Sequence, residues 1–144
     1  VIREATLDDV SGIVALGLEA LMINGYPGLI PCRSKMREAA IECISSASNY
    51  AWVVEKEGKV VGAVLALVHS MAFYKKNQAT VIQFYCTEAG EGVKILREFM
   101  AWVKSRPVIK LVCFTLEARA DPRIGKLLNR LGLQEEHPIY LKFM

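Results

Sequence analysis

The segment from Ala79 to Lys104, ATVIQFYCTEAGEGVKILREFMAWVK, constrains most strongly what this chain can fold into. Its first part is rich in β-branched and aromatic residues, its middle places Gly90 and Gly92 in a Gly-x-Gly turn, and its last part repeats apolar residues at helical spacing. Val93, Leu96, Met100 and Val103, widened by Ile95, Phe99 and Trp102, mark the side of that helix that meets a core. Lys94, Arg97, Glu98, Ala101 and Lys104 mark the opposite side. A strand that runs through glycines straight into a helix leaves the amide hydrogens of the first helical turn unpaired, with the positive end of the macrodipole behind them. Such a junction suits an anionic group, a diphosphate in particular, brought close to the backbone.

The flanking segments supply the rest of a layered fold. Val1 to Ala5 reads as a short strand, and Thr6 with Asp9 three residues on forms a capping box ahead of Val10, Ile13, Val14, Gly17 and Leu21 at helical spacing. Asn24-Gly25 and Pro27-Gly28 end that helix, and Ser34 caps a second one with Met36, Ala40, Cys43 and Ile44 inward. Ala51 to Glu55 and Lys59 to Val68 form an antiparallel hairpin about a Glu57-Gly58 turn. A loop from His69 to Gln78 leads to the strand Thr80 to Cys86 and the glycine turn. Val108 to Leu116 is a further strand, whose continuous apolar run predicts burial on both faces, and the strand–helix–strand order predicts a right-handed parallel crossover. Asp121-Pro122 opens a last helix with Ile124, Leu127, Leu128 and Leu131 on one face, and Gly132 closes it. Gln134 to Phe143, interrupted at Pro138, is expected to complete the sheet.

A length of 144 residues predicts one domain spanning 1–144. The net charge of +3 is small, and the cations are scattered among acids, which disfavours nucleic acid as a partner. The longest nearly apolar stretch, Val60 to Val68, is far too short to span a membrane. Without a secretory signal pattern, and with Cys32, Cys43, Cys86 and Cys113 showing no C-x-x-C pairing, the chain reads as cytoplasmic with reduced, buried thiols. His69 and His137 stand far apart and next to no cysteine, so no metal site is expected. A nucleotide-binding reading lacks both G-x-x-x-x-G-K-[ST] and G-x-G-x-x-G.

This order of elements, with these residues at the junctions, resembles the GNAT superfamily of acyl-CoA N-acyltransferases over nearly the whole chain. Val1 to Asp9 is similar to the family's opening strand and capped helix, and Trp52 to Glu55 with Gly58 to Gly62 is similar to its second and third strands. Asn129 to Leu133 stands where the family ends its last helix with a leucine-glycine-aromatic signature. The family's Q/R-x-x-G-x-G/A motif reads here Thr87-Glu88-Ala89-Gly90-Glu91-Gly92, with both small positions present and Thr87 in place of the leading Gln or Arg. The resemblance implies an α/β (α+β) fold: a mixed, mostly antiparallel central sheet of about six or seven strands, a splayed parallel central pair, and about four flanking helices.

The resemblance also implies an activity, transfer of an acetyl group from acetyl-CoA to a primary amine by direct attack in a ternary complex. The pantetheine arm would pair with Tyr85 and Cys86, the diphosphate would rest on the amides of Ala89, Gly90, Glu91, Gly92 and Val93 near Lys94, and an amide near Tyr85 to Thr87 would hold the thioester carbonyl. Glu117, at the carboxyl end of a strand, is the candidate base. Strand parity leaves Tyr85 facing either cleft or core. Leu128 occupies the position where many members carry a proton-donating tyrosine, so Tyr140 and Tyr74 are candidate replacements. His69 is a second candidate base, and Cys86 has no neighbouring histidine to make it a nucleophile. The acceptor, a small-molecule or peptide amine, would lie over the loops Asn24 to Arg33 and His69 to Gln78, with a homodimer left open. Thr87, Leu128 and the two glutamates keep a second reading in play: a catalytically impaired module of the same fold that binds CoA or a protein partner.

Overall fold

In the computed structural model, which describes residues 1–116, 120–136 and 138–144, five strands form one sheet in chain order. They are β1 (Ile2–Glu4), β2 (Tyr50–Lys56), β3 (Lys59–Ser70), β4 (Asn77–Cys86) and β5 (Ile109–Phe114). Neighbours from β1 to β4 run antiparallel, and β4 and β5 run parallel. The helices are α1 (Val10–Asn24), α2 (Arg33–Ser45), α3 (Ala89–Lys104) and α4 (Pro122–Arg130). Glu57 and Gly58 both take positive φ, 53° and 74°, the two-residue turn whose twist matches the β2–β3 hairpin.

The structure departs from the sequence expectations in four respects. The segment 134–143 forms no strand among the described residues, so the sheet has five strands rather than six or seven and its parallel pair lies at an edge rather than the centre. Pro138 cannot donate to a ladder, and the side chains of Ile139, Tyr140, Leu141 and Phe143 remain exposed. The strand β5 is not buried on both faces either, because at the edge of the sheet Lys110 and Leu111 are open to solvent. Cys32 is likewise exposed rather than buried.

Period-two alternation sorts the sheet into two apolar faces. Tyr50 and Val54 of β2 with Val64 and Ala66 of β3 pack under Ile95, Leu96, Phe99 and Val103 of α3 and Leu128 of α4. Ala51, Val53, Ala63 and Leu65, the intervening residues, pack under Val10, Ile13, Val14 and Leu16 of α1 and Ala40 and Cys43 of α2. Among the described residues no helix is long and apolar enough to cross a membrane.

Asp9, only 7% exposed, ties the start of α1 to the sheet edge. Its carboxylate accepts the Thr6 amide at 2.7 Å and two guanidinium bonds from Arg3 at 2.8 and 3.0 Å, while Arg3 also reaches Glu55. The Arg3 guanidinium holds the Asp9 carboxyl below its ordinary value near 3.8 against the opposing effect of burial. A depressed folded value means the stabilisation is full above about pH 4 and disappears as pH falls through the lowered value. Asp9→Asn is expected to lower stability at pH 7 by about 2 kcal/mol, because it weakens a charge-assisted pair and leaves Arg3 less compensated. Urea unfolding at pH 7 and pH 3 checks this: the difference between wild type and variant shrinks at pH 3, and an equal difference at both values contradicts it.

Candidate active site

β4 and β5 part company halfway along. They pair from Asn77 opposite Ile109 to Val81 opposite Phe114, and β4 then continues to Cys86 without a β5 partner among the described residues. At the point of parting, β3 pairs Ala66 with Val81 and Leu65 with Gln83, so Ile82 is an extra residue in β4. Such a bulge bends a strand and ends regular pairing on its far side. It also shifts the side-chain alternation, so that Val81 and Phe84, three residues apart, both lie on the α3 face. Gln83 points to the other face, where its Nε2 donates to the Ile13 carbonyl of α1 at 3.0 Å. Gly17 permits that approach, since a Cβ there would lie 3.0 Å from Gln83 Oε1 and 2.7 Å from Met36 Cε.

The parting opens a cleft of about 420 Å³. One wall is Val81 to Phe84 of β4, another is Phe114 to Leu116 with Ile124 of α4, and the far end is built by α1, the turn Gly25–Tyr26 and α2. The lining is mainly apolar, with Asn24, Tyr26, Lys35, Gln83 and Thr115 as its polar members among the described residues.

Backbone parity decides which amides face the cleft. The Thr87 amide donates to the Val61 carbonyl at 2.9 Å, and the Thr87 hydroxyl donates to the same oxygen at 3.2 Å. Alternation along an antiparallel ladder then turns the N–H and C=O groups of Tyr85 and Gln83 toward β3, and those of Cys86 and Phe84 toward the vacated edge. This corrects the sequence expectation: the amides of Tyr85 and Thr87 are already engaged, whereas Cys86 keeps its outward-facing backbone.

At the start of α3 the Gly92 amide donates to the Glu88 carbonyl at 3.0 Å, so only the amides of residues 89–91 lack an intrahelical acceptor. Gly92 and Val93 therefore fall out of the expected set of anion-facing amides. Gly90 has open space where a side chain would stand. Gly92 instead faces β4, where a Cβ would stand in van der Waals contact with Cys86 Cβ at 3.4 Å and Phe84 Cζ at 3.5 Å. The two acids beside this turn are each paired: Glu88 with Lys56 at 3.4 Å, Glu91 with Lys94 at 2.9 Å. Lys94 holds the Glu91 carboxyl below its usual range. A second hollow of about 320 Å³ lies against this turn, lined by Val54 to Lys56, Glu88, Gly90 and Glu91 with Val1.

The remaining candidates scatter. Tyr85 packs with the α1–α2 side of the sheet, where burial and the nearby Glu19 carboxylate push its phenol up. Burial likewise raises the Cys86 thiol, which donates to the Glu88 carbonyl at 3.1 Å and needs the bare Cα of Gly62, because a Cβ there would lie 2.7 Å from Sγ. A thiol held in its protonated form is a poor nucleophile. Leu128 lies in the core and offers no proton. Tyr140 is 91% exposed and does not border the cleft, Tyr74 is exposed, and His69 bonds the Thr80 hydroxyl at 3.0 Å. Glu117 lies outside the described residues. Sequence reasoning missed Ile82, Gln83, Lys35 and Met36 as cleft builders. The Gly17 position on the inner face of α1 was the one signal that something approaches there closely.

No protein-family model matches the chain, and no curated protein matches it in sequence. Solved structures do match over its full length. A predicted acetyltransferase from Clostridium acetobutylicum, with acetyl-CoA, shares 14% identity at a TM-score of 0.79, covering 100% of this chain and 95% of its own. A transcriptional regulator from Bacillus halodurans shares 19% at 0.74, covering 100% and 99%. An aminoglycoside acetyltransferase from an uncultured soil metagenomic sample, in complex with sisomicin, shares 14% at 0.69, covering 100% and 95%. Identities this low speak for backbone architecture, and on that ground the chain has the fold of the GNAT-type acetyltransferases.

Proposed function

We propose that this chain is an acyl-CoA-dependent N-acyltransferase that moves an acetyl group from acetyl-CoA to a primary amine. The observation that carries the reading is the cleft at the Ile82 bulge, which opens beside a strand edge that leads along β4 to the bare start of α3 and whose far end lies against α1 and α2. A cofactor of this class has an amide-rich arm and an anionic diphosphate. The vacated edge of Cys86 and Phe84 offers ladder partners for the arm, and amides 89–91 offer donors for the diphosphate. Pairing of Glu88 with Lys56 and Glu91 with Lys94 offsets the acidic character of that turn.

Bound acetyl-CoA supplies an activated thioester. The chain's part is positioning and polarisation. The outward-facing amide of Phe84 donates to the thioester carbonyl as it gains negative charge. Apolar walls exclude water, and the chamber at the α1–α2 end aligns the amine for direct attack. Glu117 remains the candidate base and Tyr85 a polar neighbour on the acceptor side. No covalent enzyme intermediate is needed.

A binding module of the same fold is the second reading. It is favoured by Leu128 in the core and by the absence of carboxylate or imidazole from the cleft lining among the described residues. Release of free thiol from acetyl-CoA with a panel of primary amines separates the two: turnover supports transfer, and binding of CoA without turnover supports the module.

Two substitutions test the donor site. Gly90→Glu fills open space with a carboxylate, so CoA affinity measured by calorimetry falls at least about tenfold with Tm unchanged; unaltered affinity contradicts the placement. Gly92→Glu lowers Tm as well, because the side chain meets Cys86 and Phe84. Glu91→Gln releases Lys94 and removes a like charge, and is expected to tighten CoA binding by about two- to fivefold; weaker binding shows that the diphosphate sits elsewhere.

A further inference from the structure

The far end of the cleft has a chemical character that the transfer reading leaves unassigned. Of the described residues lining the cleft, Lys35 is the only one with a formal charge, and no carboxylate joins it. Lys35 stands in the first turn of α2, is exposed, and makes no ion pair with a described residue. Around it the wall is apolar: Leu21 and Met36 face the chamber, and Tyr26 closes its rim with its ring 5.2 Å from that of Phe143. Asn24 lines the same end, and its buried Oδ1 has no hydrogen-bond partner among the described residues. An unpaired amide oxygen of this kind is satisfied when a donor arrives, and an amine is a donor.

Among the described lining residues a polycationic acceptor finds little, since each ammonium brought into an apolar cleft calls for a carboxylate partner and the one charge they offer, Lys35, repels it. An amine that carries an anion fits: its anion meets Lys35, its body covers Leu21, Met36 and Tyr26, and its amino group lies toward Asn24 and the strand edge. We propose that the acceptor is a primary amine bearing a carboxylate and an apolar body, the chemistry of an apolar amino acid or a short peptide ending in one. The proposal rests on the transfer reading and narrows its acceptor. In the reaction the neutral amine forms the new C–N bond to the acetyl carbon, the C–S bond breaks, CoA leaves as the thiolate that takes up a proton, and the amine nitrogen loses one.

The test compares matched amines on the intact chain by thiol release with acetyl-CoA: leucine and phenylalanine, their C-terminal amides, and a polyamine such as spermidine. The expected result is a kcat/KM higher for the free carboxylates than for the amides by about tenfold, with spermidine poorest. Lys35→Ala should bring the carboxylate-to-amide ratio close to one, and Lys35→Arg should keep most of it. Preference for spermidine, or a ratio unmoved in Lys35→Ala, overturns the acceptor assignment while leaving acetyl transfer standing. If no amine is turned over, calorimetry of leucine and its amide in the presence of CoA gives the same comparison: tighter binding of the free carboxylate, lost in Lys35→Ala, supports the assignment, and equal binding overturns it. Failure of CoA itself to bind is a separate outcome that removes the transfer reading and this proposal with it.

Discussion

One extra residue in β4 governs the arrangement of everything around the cleft. Ile82 has no partner opposite it in β3, and beyond it β4 bends away from β5. Backbone groups that a regular sheet would consume are thereby left along one edge. A buried unpaired amide or carbonyl is costly, so an edge of this kind persists only where solvent or a ligand satisfies it. The bulge is anchored from the opposite side by Gln83, whose amide reaches the Ile13 carbonyl through the gap at Gly17. α1 and the parted strand are therefore joined by the same contact that lies beside the bulge, and Gln83 and Gly17 both line the cleft there.

The glycines of the turn divide the labour between ligand and fold. Gly90 leaves a space open at the start of α3, whereas Gly92 faces Cys86 and Phe84, with which a Cβ would be in van der Waals contact. Gly62 makes room beneath Cys86. Helix, turn and strand thus meet at van der Waals distance around a small thiol, which holds the amides of residues 89–91 at the end of the vacated edge. The acids in the turn are held by lysines rather than left to repel an anion.

Much of the scaffold was legible in the sequence because its signals are local. The apolar stripe of α3, the Thr6 and Asp9 cap, the Glu57-Gly58 turn and the Asp121-Pro122 start each follow from a few adjacent residues, and each is present. The site was legible in outline only. A strict period of two would put Val81, Gln83 and Tyr85 on one face, and the bulge places Val81 with Phe84 and Cys86 instead. That slip has no local marker, since Val-Ile-Gln-Phe would sit equally well in a regular strand. Lys35 and Met36 reach the cleft through the packing of α2 against α1, a tertiary event that helical spacing does not reveal. No last strand forms among the described residues of 134–143, where Pro138, which cannot donate to a ladder, interrupts the apolar pattern.

The occupied state of the cleft is the most direct test. A crystal structure of the chain with CoA is expected to show the thiol end between Ile82–Phe84 and Phe114–Leu116, the arm along Phe84 and Cys86, and the diphosphate on the amides of residues 89–91. CoA density away from the parted strands, or an empty cleft at millimolar CoA, would contradict it.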